Sequence, residues 1–357
     1  MHAAQAGYPR PWVAHYPPGV AAGLDLGEHT LTSLLEGACR DHAARPAFAS
    51  MGRTLSYEDV DRLSGHFASY LLNVLKLKKG DRVAIMLPNI LQYPVALFGV
   101  LRAGLTVVNT NPMYTGRELK HQLVDAGASV LVVLDNFAHT VAGVLHETPV
   151  RQVVTTGLGD LLGFPKSAIV NFVARYVKKL VPDYRIDGAV RFNDALAQGT
   201  ARPAPRVDIG HDDIAFLQYT GGTTGVAKGA MLTHRNMVAN MQQVSAWYIQ
   251  RLSLGEEVMV TALPLYHIFA LTCNCLVFMK FGGLNVLITN PRDMAGFVRE
   301  ISKLGFTAIT GVNTLFNGLL NTPGFDQADF SHLKMSFGGG MAGQRAVAER
   351  WKADTGR

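Results

Sequence analysis

One stretch constrains this chain more than any other: Tyr219–Ala230, with the sequence YTGGTTGVAKGA. The apolar run Ile214–Tyr219 leads into it as a buried strand would, and an amphipathic helix beginning at Thr233 follows it. Glycines let successive backbone N–H groups turn inward and form a nest for anions. Threonine hydroxyls add donors, and Lys228 adds a mobile charge that suits phosphate. The stretch predicts a loop that grips a polyphosphate; the alternative is a flexible Gly/Thr surface loop.

This loop differs from the common P-loop, in which Gly-Lys-Ser/Thr opens a helix. Here Gly229 follows Lys228, and Gly225 stands three residues before the lysine. We therefore expect a phosphate contact unlike that of a Walker-type nucleotide hydrolase.

Length and composition indicate a folded globular chain. Of its 357 residues, 48% are hydrophobic and 17% are charged. One hydrophobic core seldom organises this length, so we expect two subdomains, residues 1–205 and 206–357. The net charge of +6 favours anionic partners such as nucleotides, carboxylates or an anionic membrane surface. The sequence shows neither a basic cluster interleaved with aromatic residues, which argues against nucleic acid, nor a run of about 18 apolar residues that could span a membrane.

The three cysteines, Cys39, Cys273 and Cys275, lack the spacing of a disulfide framework. An odd number without such spacing is typical of a reducing compartment, so we expect a cytoplasmic protein. Cys273 and Cys275 lie in the apolar stretch Phe269–Met279, which predicts a buried helix with inert thiols. The alternative for this pair is a metal or redox site.

Strand and helix patterns alternate along the chain, which predicts an α/β fold with a largely parallel sheet. Two capping boxes, Ser56-x-x-Asp59 and Thr115-x-x-Glu118, mark helix starts. Short apolar strands are expected at 83–87, 105–109, 129–134, near 153, and at 258–263, 284–288, 307–310 and 333–337.

Residues 159–182 interrupt the alternation with a basic amphipathic segment. Apolar residues recur at helical spacing from Ile169 to Val181, and four basic residues accompany them: Lys166, Arg175, Lys178 and Lys179. We expect the stripe to pack on the core, as most such stripes do. The alternative is that the segment lies on an anionic membrane.

Four loops leave strand ends in the second half of the chain: Tyr219–Ala230, Leu265–Phe269, Gly311–Thr314 and Gly338–Gly340. Such loops converge on a cleft in open α/β sheets. Three consecutive glycines let a flat ligand, such as an adenine ring, approach the backbone; the alternative is a plain tight turn.

His267 lies at one of these strand ends, between Tyr266 and Phe269. It could orient a carboxylate or wall an apolar tunnel, and the alternative is a satisfied core histidine. No carboxylate partner stands near it in the sequence, so we do not expect a general base. The sequence also shows no Ser-His-Asp set and no metal-ligand cluster.

Several of these motifs together resemble a known family. They are YTGGTTGVAKGAMLTH (219–234), PLYHIF (264–269), ITNPRD (288–293), TAITGVNTLFN (307–317), GGGM (338–341), LSYEDVD (55–61) and VVNTNPMYTGREL (107–119). The chain resembles adenylate-forming enzymes. The residues of its motifs are most similar to those of bacterial long-chain fatty-acid–CoA ligases. The resemblance implies the large N-terminal domain of that fold, with two mixed or parallel sheets flanked by helices in αβαβα layers.

The same resemblance implies a reaction and a set of site residues. A fatty acid attacks the α-phosphate of ATP, and coenzyme A then displaces AMP. Lys228, Thr220 and His267 would be catalytic, with Thr220 near Mg²⁺, and His267, Phe269, Gly311 and Val312 would border the acyl site. The nucleotide would be bound by Tyr219, Thr220, Gly221, Gly222, Thr223, Thr224, Gly225, Lys228, Gly339, Gly340 and Met341.

The sequence ends at Arg357, before the next motifs of this family. The family continues with a Tyr-Gly-x-Thr-Glu motif, a ribose-binding Asp, a hinge and a small C-terminal domain with a catalytic Lys, and this sequence contains none of them. We therefore expect a truncated chain that does not run the full reaction alone.

Two alternatives stay open: an adenylate-forming enzyme for aryl acids or carrier proteins, and a silent nucleotide- or lipid-binding module. A homodimer and a peripheral contact with the inner membrane are further hypotheses.

Overall fold

The computed structural model describes residues 10–220 and 227–357. The strands within these ranges are β1 (Pro46–Ser50), β2 (Arg53–Ser56), β3 (Arg82–Met86), β4 (Thr106–Asn109), β5 (Ala128–Leu134), β6 (Gln152–Thr156), β7 (Val190–Arg191), β8 (Ile214–Thr220), β9 (Lys228–Thr233), β10 (Val258–Thr261), β11 (Leu284–Leu287), β12 (Ala308–Gly311) and β13 (Met335–Gly338).

The α-helices of the same ranges are α1 (Leu31–Asp41), α2 (Tyr57–Ser69), α3 (Gln92–Arg102), α4 (Gly116–Ala126), α5 (Ala138–Val144), α6 (Lys166–Phe172), α7 (Phe192–Gly199), α8 (His234–Tyr248), α9 (Ile268–Ala270), α10 (Val277–Lys280), α11 (Met294–Ile301), α12 (Asn313–Leu320) and α13 (Arg345–Thr355). Three π-helical turns continue some of them: Tyr70–Val74, Val173–Val177 and Leu271–Leu276.

The strands form two mixed sheets. Sheet I has the order β7-β6-β5-β3-β4-β8-β9, and sheet II has the order β13-β12-β10-β11-β1-β2. Neighbouring strands run parallel except at one edge of each sheet, where β9 is antiparallel to β8 and β2 is antiparallel to β1. The predicted α/β class with two mixed sheets is therefore confirmed.

Three apolar clusters show how helices cover these sheets. The largest cluster lies between the sheets, since it joins Val83 and Phe216 of sheet I to Phe48 and Met259 of sheet II, with α3 buried along its length. A second cluster packs α11, α12 and α13 on sheet II, and a third packs α4 and α5 on sheet I. The result is the layered helix–sheet–helix–sheet–helix arrangement that the resemblance implies.

The two sheets do not follow the expected division into residues 1–205 and 206–357. The early strands β1 and β2 belong to sheet II, and the later strands β8 and β9 belong to sheet I. The register pairs Phe48 of β1 with Asn285 of β11. Position 205 is therefore not a boundary between the sheets, because hydrogen-bond partners are chosen by three-dimensional packing and not by order along the chain.

The local helix signals were good predictors. Both expected capping boxes are present, at Ser56 with Asp59 and at Thr115 with Glu118. A third capping box is present at Thr233 with Asn236, and α8 begins there as predicted. The helical run from Ile268 to Lys280 and the buried, free thiols of Cys273 and Cys275 are also confirmed.

Two features differ from the expectations. The stretch after position 227 is not loop up to Ala230, because Lys228–Thr233 forms β9 and pairs with β8. Most of the stripe of the basic segment does not pack on the core: Phe172, Tyr176 and Val177 are all exposed, and Val170 is partly buried against the core. Among the described helices, none is long and apolar enough to cross a membrane.

The contact between α2 and α7 predicts a strict size limit at Gly199. A Cβ there would lie 1.9 Å from the backbone carbonyl oxygen of His66, so the two helices would have to separate. We expect Gly199→Ala to lower the free energy of unfolding by about 1–3 kcal/mol in urea denaturation. The control is Gly143→Ala on α5, where nothing lies within 4 Å of the new Cβ. Equal stability of the two variants would contradict the described packing.

His234 predicts a dependence of stability on pH. It is 1% exposed and accepts a hydrogen bond at Nδ1 from the Leu31 N–H, and burial lowers its pKa from 6.5 to about 4. Between these values the unfolded chain binds a proton that the native chain does not bind, so acidification through this window removes about 3 kcal/mol of stability.

We expect His234→Gln to flatten the change in unfolding free energy between pH 7 and pH 4.5. The exposed His139→Gln is the control. An unchanged pH profile in His234→Gln would rule out this contribution.

Candidate active site

The β8–β9 hairpin carries the first pair of predicted site residues. The register places Thr220 opposite Lys228 and Tyr219 opposite Gly229. Residues directly opposite in an antiparallel pair project to the same face, with Cα atoms about 4.5–5.5 Å apart. Both Thr220 and Lys228 are exposed, so a hydroxyl and an ammonium group stand together at the hairpin tip.

Tyr219 faces the other way. Its ring is buried against Gly229, and its hydroxyl donates to Asp125 Oδ2 of α4 at 2.5 Å. Burial and the neighbouring carboxylate raise the pKa of Tyr219, so the phenol stays protonated. The side chain that was expected to bind a nucleotide therefore packs in the core of sheet I and holds the hairpin on α4.

The alternation of side chains shows which side Thr220 and Lys228 face. Gln218 lies two residues before Thr220 and therefore projects from the same face. Its Nε2 donates to the carbonyl of Tyr266 at 3.0 Å. Thr220 and Lys228 thus face the side of sheet I on which the loop Leu265–Phe269 lies.

A buried polar network fixes this loop against sheet I. Asn109, the last residue of β4, donates to Gln218 Oε1 at 2.9 Å. The Tyr93 hydroxyl donates to Asn109 Oδ1 at 2.7 Å or to the Leu265 carbonyl at 2.8 Å. Gln122 Nε2 also donates to the Asn109 carbonyl, at 2.8 Å. Because buried amides are costly without partners, these contacts select one orientation for each side chain.

Asn89 holds the same loop from its other end. Its Nδ2 donates to the carbonyls of Thr261 and Leu263, both at 2.9 Å, and its Oδ1 accepts from the Leu265 N–H at 2.9 Å. One side chain thus provides hydrogen bonds to the backbone after β10, where the hydrogen bonds between neighbouring strands end. It turns the backbone toward His267.

The ends of β12 and β13 adjoin this loop. Gly311 pairs with Gly338, and the Gly339 N–H donates to the Gly311 carbonyl at 3.2 Å. A Cβ on Gly339 would lie 2.9 Å from the Phe269 ring, and one on Gly340 would lie 3.6 Å from Val312. The three expected strand ends therefore meet, and only a residue without a side chain fits beside Phe269.

His267 and the aromatic rings near it form the remaining wall. His267 is exposed, and its Nδ1 accepts a long, 3.4 Å hydrogen bond from the Phe269 N–H at the start of α9. The Phe269 and Phe337 rings lie 5.7 Å apart, and Tyr248 lies 6.0 Å beyond Phe337. A polar ring thus stands beside the aromatic rings of Phe269 and Phe337, and Tyr248 is buried behind them.

The predicted residues are therefore distributed as follows. The described chain brings together the end of the β8–β9 hairpin, the loop Leu265–Phe269 and the ends of β12 and β13, a region that we call the cleft. The predicted residues in this region are Thr220, Lys228, His267, Phe269, Gly311, Val312, Gly339 and Gly340. Met341 is exposed just beyond it. Gly221, Gly222, Thr223, Thr224 and Gly225 lie outside the described residues.

The residues that position the cleft were missed from the sequence: Asn89, Tyr93, Asn109, Gln122 and Gln218. A signal for two of them was available. Asn109 ends an apolar strand, and Gln218 interrupts another, so each puts a polar side chain where only apolar ones are expected.

Curated relatives support this comparison of motifs. The chain is 54% identical over 347 residues to a long-chain-fatty-acid–CoA ligase of Salmonella typhimurium and 52% identical over 350 residues to one of Haemophilus influenzae. Both alignments cover 97% of this chain and 62% of the relative. The chain thus spans about 62% of the length of these curated relatives.

Solved structures share the fold. An anthranilate–CoA ligase in complex with anthranoyl-AMP gives a TM-score of 0.77 at 20% identity, covering 93% of this chain and 59% of that one. A long-chain-fatty-acid–CoA ligase from Archaeoglobus fulgidus gives 0.75 at 23% identity, covering 95% and 64%. At these identities the similarity establishes the fold alone.

A family model also matches, and it spans most of the chain. Its description is AMP-binding enzyme, and it aligns with residues 35–357. Together with the layered fold and the convergence of the strand ends, this match shows that the chain belongs to the AMP-binding enzyme family.

Proposed function

We propose that this protein acts in the ATP-dependent activation of a long-chain fatty acid to acyl-adenylate and then to acyl-CoA. The observation that carries the proposal is the placement of Thr220 and Lys228 on the face that meets His267, Phe269 and the glycine strand ends. The substrate class comes from the names of the relatives that are more than half identical to this chain.

The triphosphate would lie on the β8–β9 hairpin. Lys228 supplies a cation that is exposed to the cleft, and the Thr220 hydroxyl opposite it supplies a hydrogen-bond donor. The Gly/Thr residues 221–225 join these two positions in the sequence, and we assign them to the β- and γ-phosphates. Their backbone N–H groups and hydroxyls suit charge that grows on departing pyrophosphate.

The adenine would lie at the end of β13. The Phe269 ring packs directly on the Gly339 backbone, because a Cβ there would lie 2.9 Å from the ring. A flat base would lie on the exposed side of this edge, which Gly340 and Met341 continue, because glycine lets it approach the backbone closely. An aromatic ring offers the base a stacking partner.

The fatty acid would enter along the rings of Phe269 and Phe337, which pack on the buried Tyr248. His267 at its rim is placed to orient the carboxylate, while the rings accept the apolar chain. Gly311 and Val312 would border the same site. In the first step a carboxylate oxygen bonds to the α-phosphorus, and the bond from that phosphorus to the pyrophosphate oxygen breaks.

In the second step the sulfur of coenzyme A bonds to the acyl carbon, and the bond from that carbon to the AMP oxygen breaks. The thiol proton leaves with the transfer. We assign no coenzyme A contact to a described residue.

Magnesium fits this cleft as an ion carried by the nucleotide. The described residues contain no group of three His, Cys, Asp or Glu side chains that could hold a metal. Phosphate oxygens and water would therefore supply most ligands, as is common for this ion, and Thr220 would add its hydroxyl. Bound there, the ion would neutralise charge on the phosphates.

A cytoplasmic location with peripheral contact to the inner membrane belongs to the same proposal, since long-chain fatty acids dissolve in bilayers. The homodimer stays a prediction that sedimentation velocity can check.

The alternative substrate classes are separated by acid-dependent pyrophosphate exchange, measured in the natural full-length protein with long-chain, short-chain and aryl acids. Exchange with aryl acids alone would overturn the fatty-acid assignment.

Lys228→Ala is expected to weaken ATP binding because it removes a charged phosphate contact worth about 1.5–3 kcal/mol, or roughly tenfold to 150-fold in Kd. AMP, which lacks the β- and γ-phosphates, should bind almost as before. Isothermal titration calorimetry with both nucleotides measures this difference, and the exposed Lys303→Ala is the matched control. Equal loss of ATP and AMP binding, or no loss, would contradict the hairpin assignment.

Gly339→Ala should weaken ATP and AMP alike, by roughly tenfold, because the new Cβ and the Phe269 ring cannot both keep their places beside the base. The control is Gly343→Ala, six residues past Phe337, where the Cβ meets nothing within 4 Å. Titration calorimetry is again the measurement, with thermal unfolding to verify that both variants fold. Unchanged AMP binding in a folded Gly339→Ala would remove the adenine from this position.

A further inference from the structure

The helix that follows β6 exposes the residues that surface helices normally bury. We call residues 164–180 the docking segment; it contains α6 and the π-helical turn Val173–Val177. Six large apolar side chains point to solvent, namely Phe164 (92% exposed), Ile169 (58%), Phe172 (58%), Tyr176 (62%), Val177 (64%) and Leu180 (47%). The Phe172 and Tyr176 rings lie 5.1 Å apart, so these two exposed rings form one patch.

The opposite face of the docking segment contacts the protein through polar groups and through Val170, which is partly buried against the core. Asn171 accepts from the Gly159 N–H and donates to Asp160 Oδ1, both at 2.7 Å. Lys166 donates to the Met51 carbonyl, and Ala174 is the residue of the two helical turns that is buried. A helix of a globular protein usually packs its apolar stripe inward. Here Asn171, Val170 and Ala174 lie on the inner side, and the larger apolar side chains are presented outward.

Basic residues adjoin the apolar face. Lys178 and Lys179 are exposed directly after the helical turns, and Arg175 lies over the Tyr176 ring at 5.9 Å. The nearest acidic group to Arg175 is Asp183 at 4.0 Å, which leaves the segment with an excess of positive charge. Aromatic and aliphatic side chains beside exposed lysines match the chemistry of an anionic bilayer surface.

The docking segment also has a favourable position in the fold. It follows the carboxyl end of β6, and β6 and β8 belong to the parallel part of sheet I. Their carboxyl ends therefore lie along the same edge of the sheet, which is the edge that carries Thr220. The proposed ATP site and the exposed apolar surface open on the same side of the sheet.

From these observations we infer that the docking segment attaches the protein to an anionic phospholipid bilayer. The helical part, residues 166–177, is about 18 Å long, which is too short to span a membrane. It lies in the plane of the interface, with Phe172 and Tyr176 among the headgroups and Lys178 and Lys179 against lipid phosphates. The inference deepens the membrane contact of the proposed function by assigning it to one segment, and it rests on that function only in taking the fatty acid from the bilayer.

Vesicle flotation with the full chain tests this assignment. The vesicles contain either phosphatidylglycerol and phosphatidylethanolamine or phosphatidylcholine alone. We expect binding to the anionic vesicles that weakens with salt. Phe172→Ser with Tyr176→Ser, and separately Lys178→Glu with Lys179→Glu, should each reduce the binding at least tenfold, since each lysine near an anionic surface contributes about fivefold.

Matched controls distinguish this surface from general hydrophobicity or charge. Met113→Ser with Leu254→Ser changes two apolar residues that are each 60% exposed elsewhere, and Lys303→Glu with Lys352→Glu reverses two exposed lysines. Wild-type affinity in both controls supports the assignment. Equal loss in test and control variants would overturn it, as would wild-type binding by both test variants.

Two further measurements make the test specific. A Phe172→Trp variant should show quenching of its fluorescence by brominated lipid if the residue enters the bilayer, and unquenched fluorescence in bound protein would overturn the assignment. Self-association that is lost in the Phe172/Tyr176 variant, without vesicle binding by the wild type, would identify the surface as an interface between copies. ATP titration of the same variants separates this result from the proposed function, because their ATP affinity should remain unchanged.

Discussion

The buried amide of Gln218 is the contact on which the geometry of the cleft depends. It is 6% exposed and uses both ends of its side chain, accepting from Asn109 in sheet I and donating to the Tyr266 carbonyl after β10. A buried amide with partners at both ends has one favourable orientation, and any other leaves a polar group unpaired. The hairpin tip with Thr220 and the loop with His267 are therefore positioned by the same side chain. An apolar replacement would keep the core filled but would release one wall of the site from the other.

Local sequence signals were enough to predict most elements and the meeting of the strand ends. Helix starts depend on side chains within three residues, as at Ser56 and Thr115, so they are visible in sequence. The glycines at 338–340 and the polar His267 also stand out at the ends of apolar strands. These properties are local, and the described structure places each of them at the cleft.

What the sequence could not supply was pairing and orientation. The strand β1 has one neighbour close in the sequence, β2, but its other neighbour, β11, comes from much later in the chain. The Lys228–Thr233 stretch looks like loop because it is an edge strand that faces solvent. The helical stripe of the docking segment has the same periodicity whether it points inward or outward, so periodicity could not predict that Asn171 would contact the protein while Phe172 and Tyr176 are exposed.

The exchange of strands between the sheets has a consequence for synthesis of the chain. Phe48 leaves the ribosome early, yet its partner Asn285 emerges only after all of sheet I has been made. At a translation rate of about 5–20 residues per second, the β1–β2 hairpin waits on the order of 10–50 s for its neighbour. During that interval Ala47 and Phe48, which end fully buried, are exposed on an unpaired edge. The early part of the chain is thus the part most dependent on protection from aggregation while the rest is being synthesised.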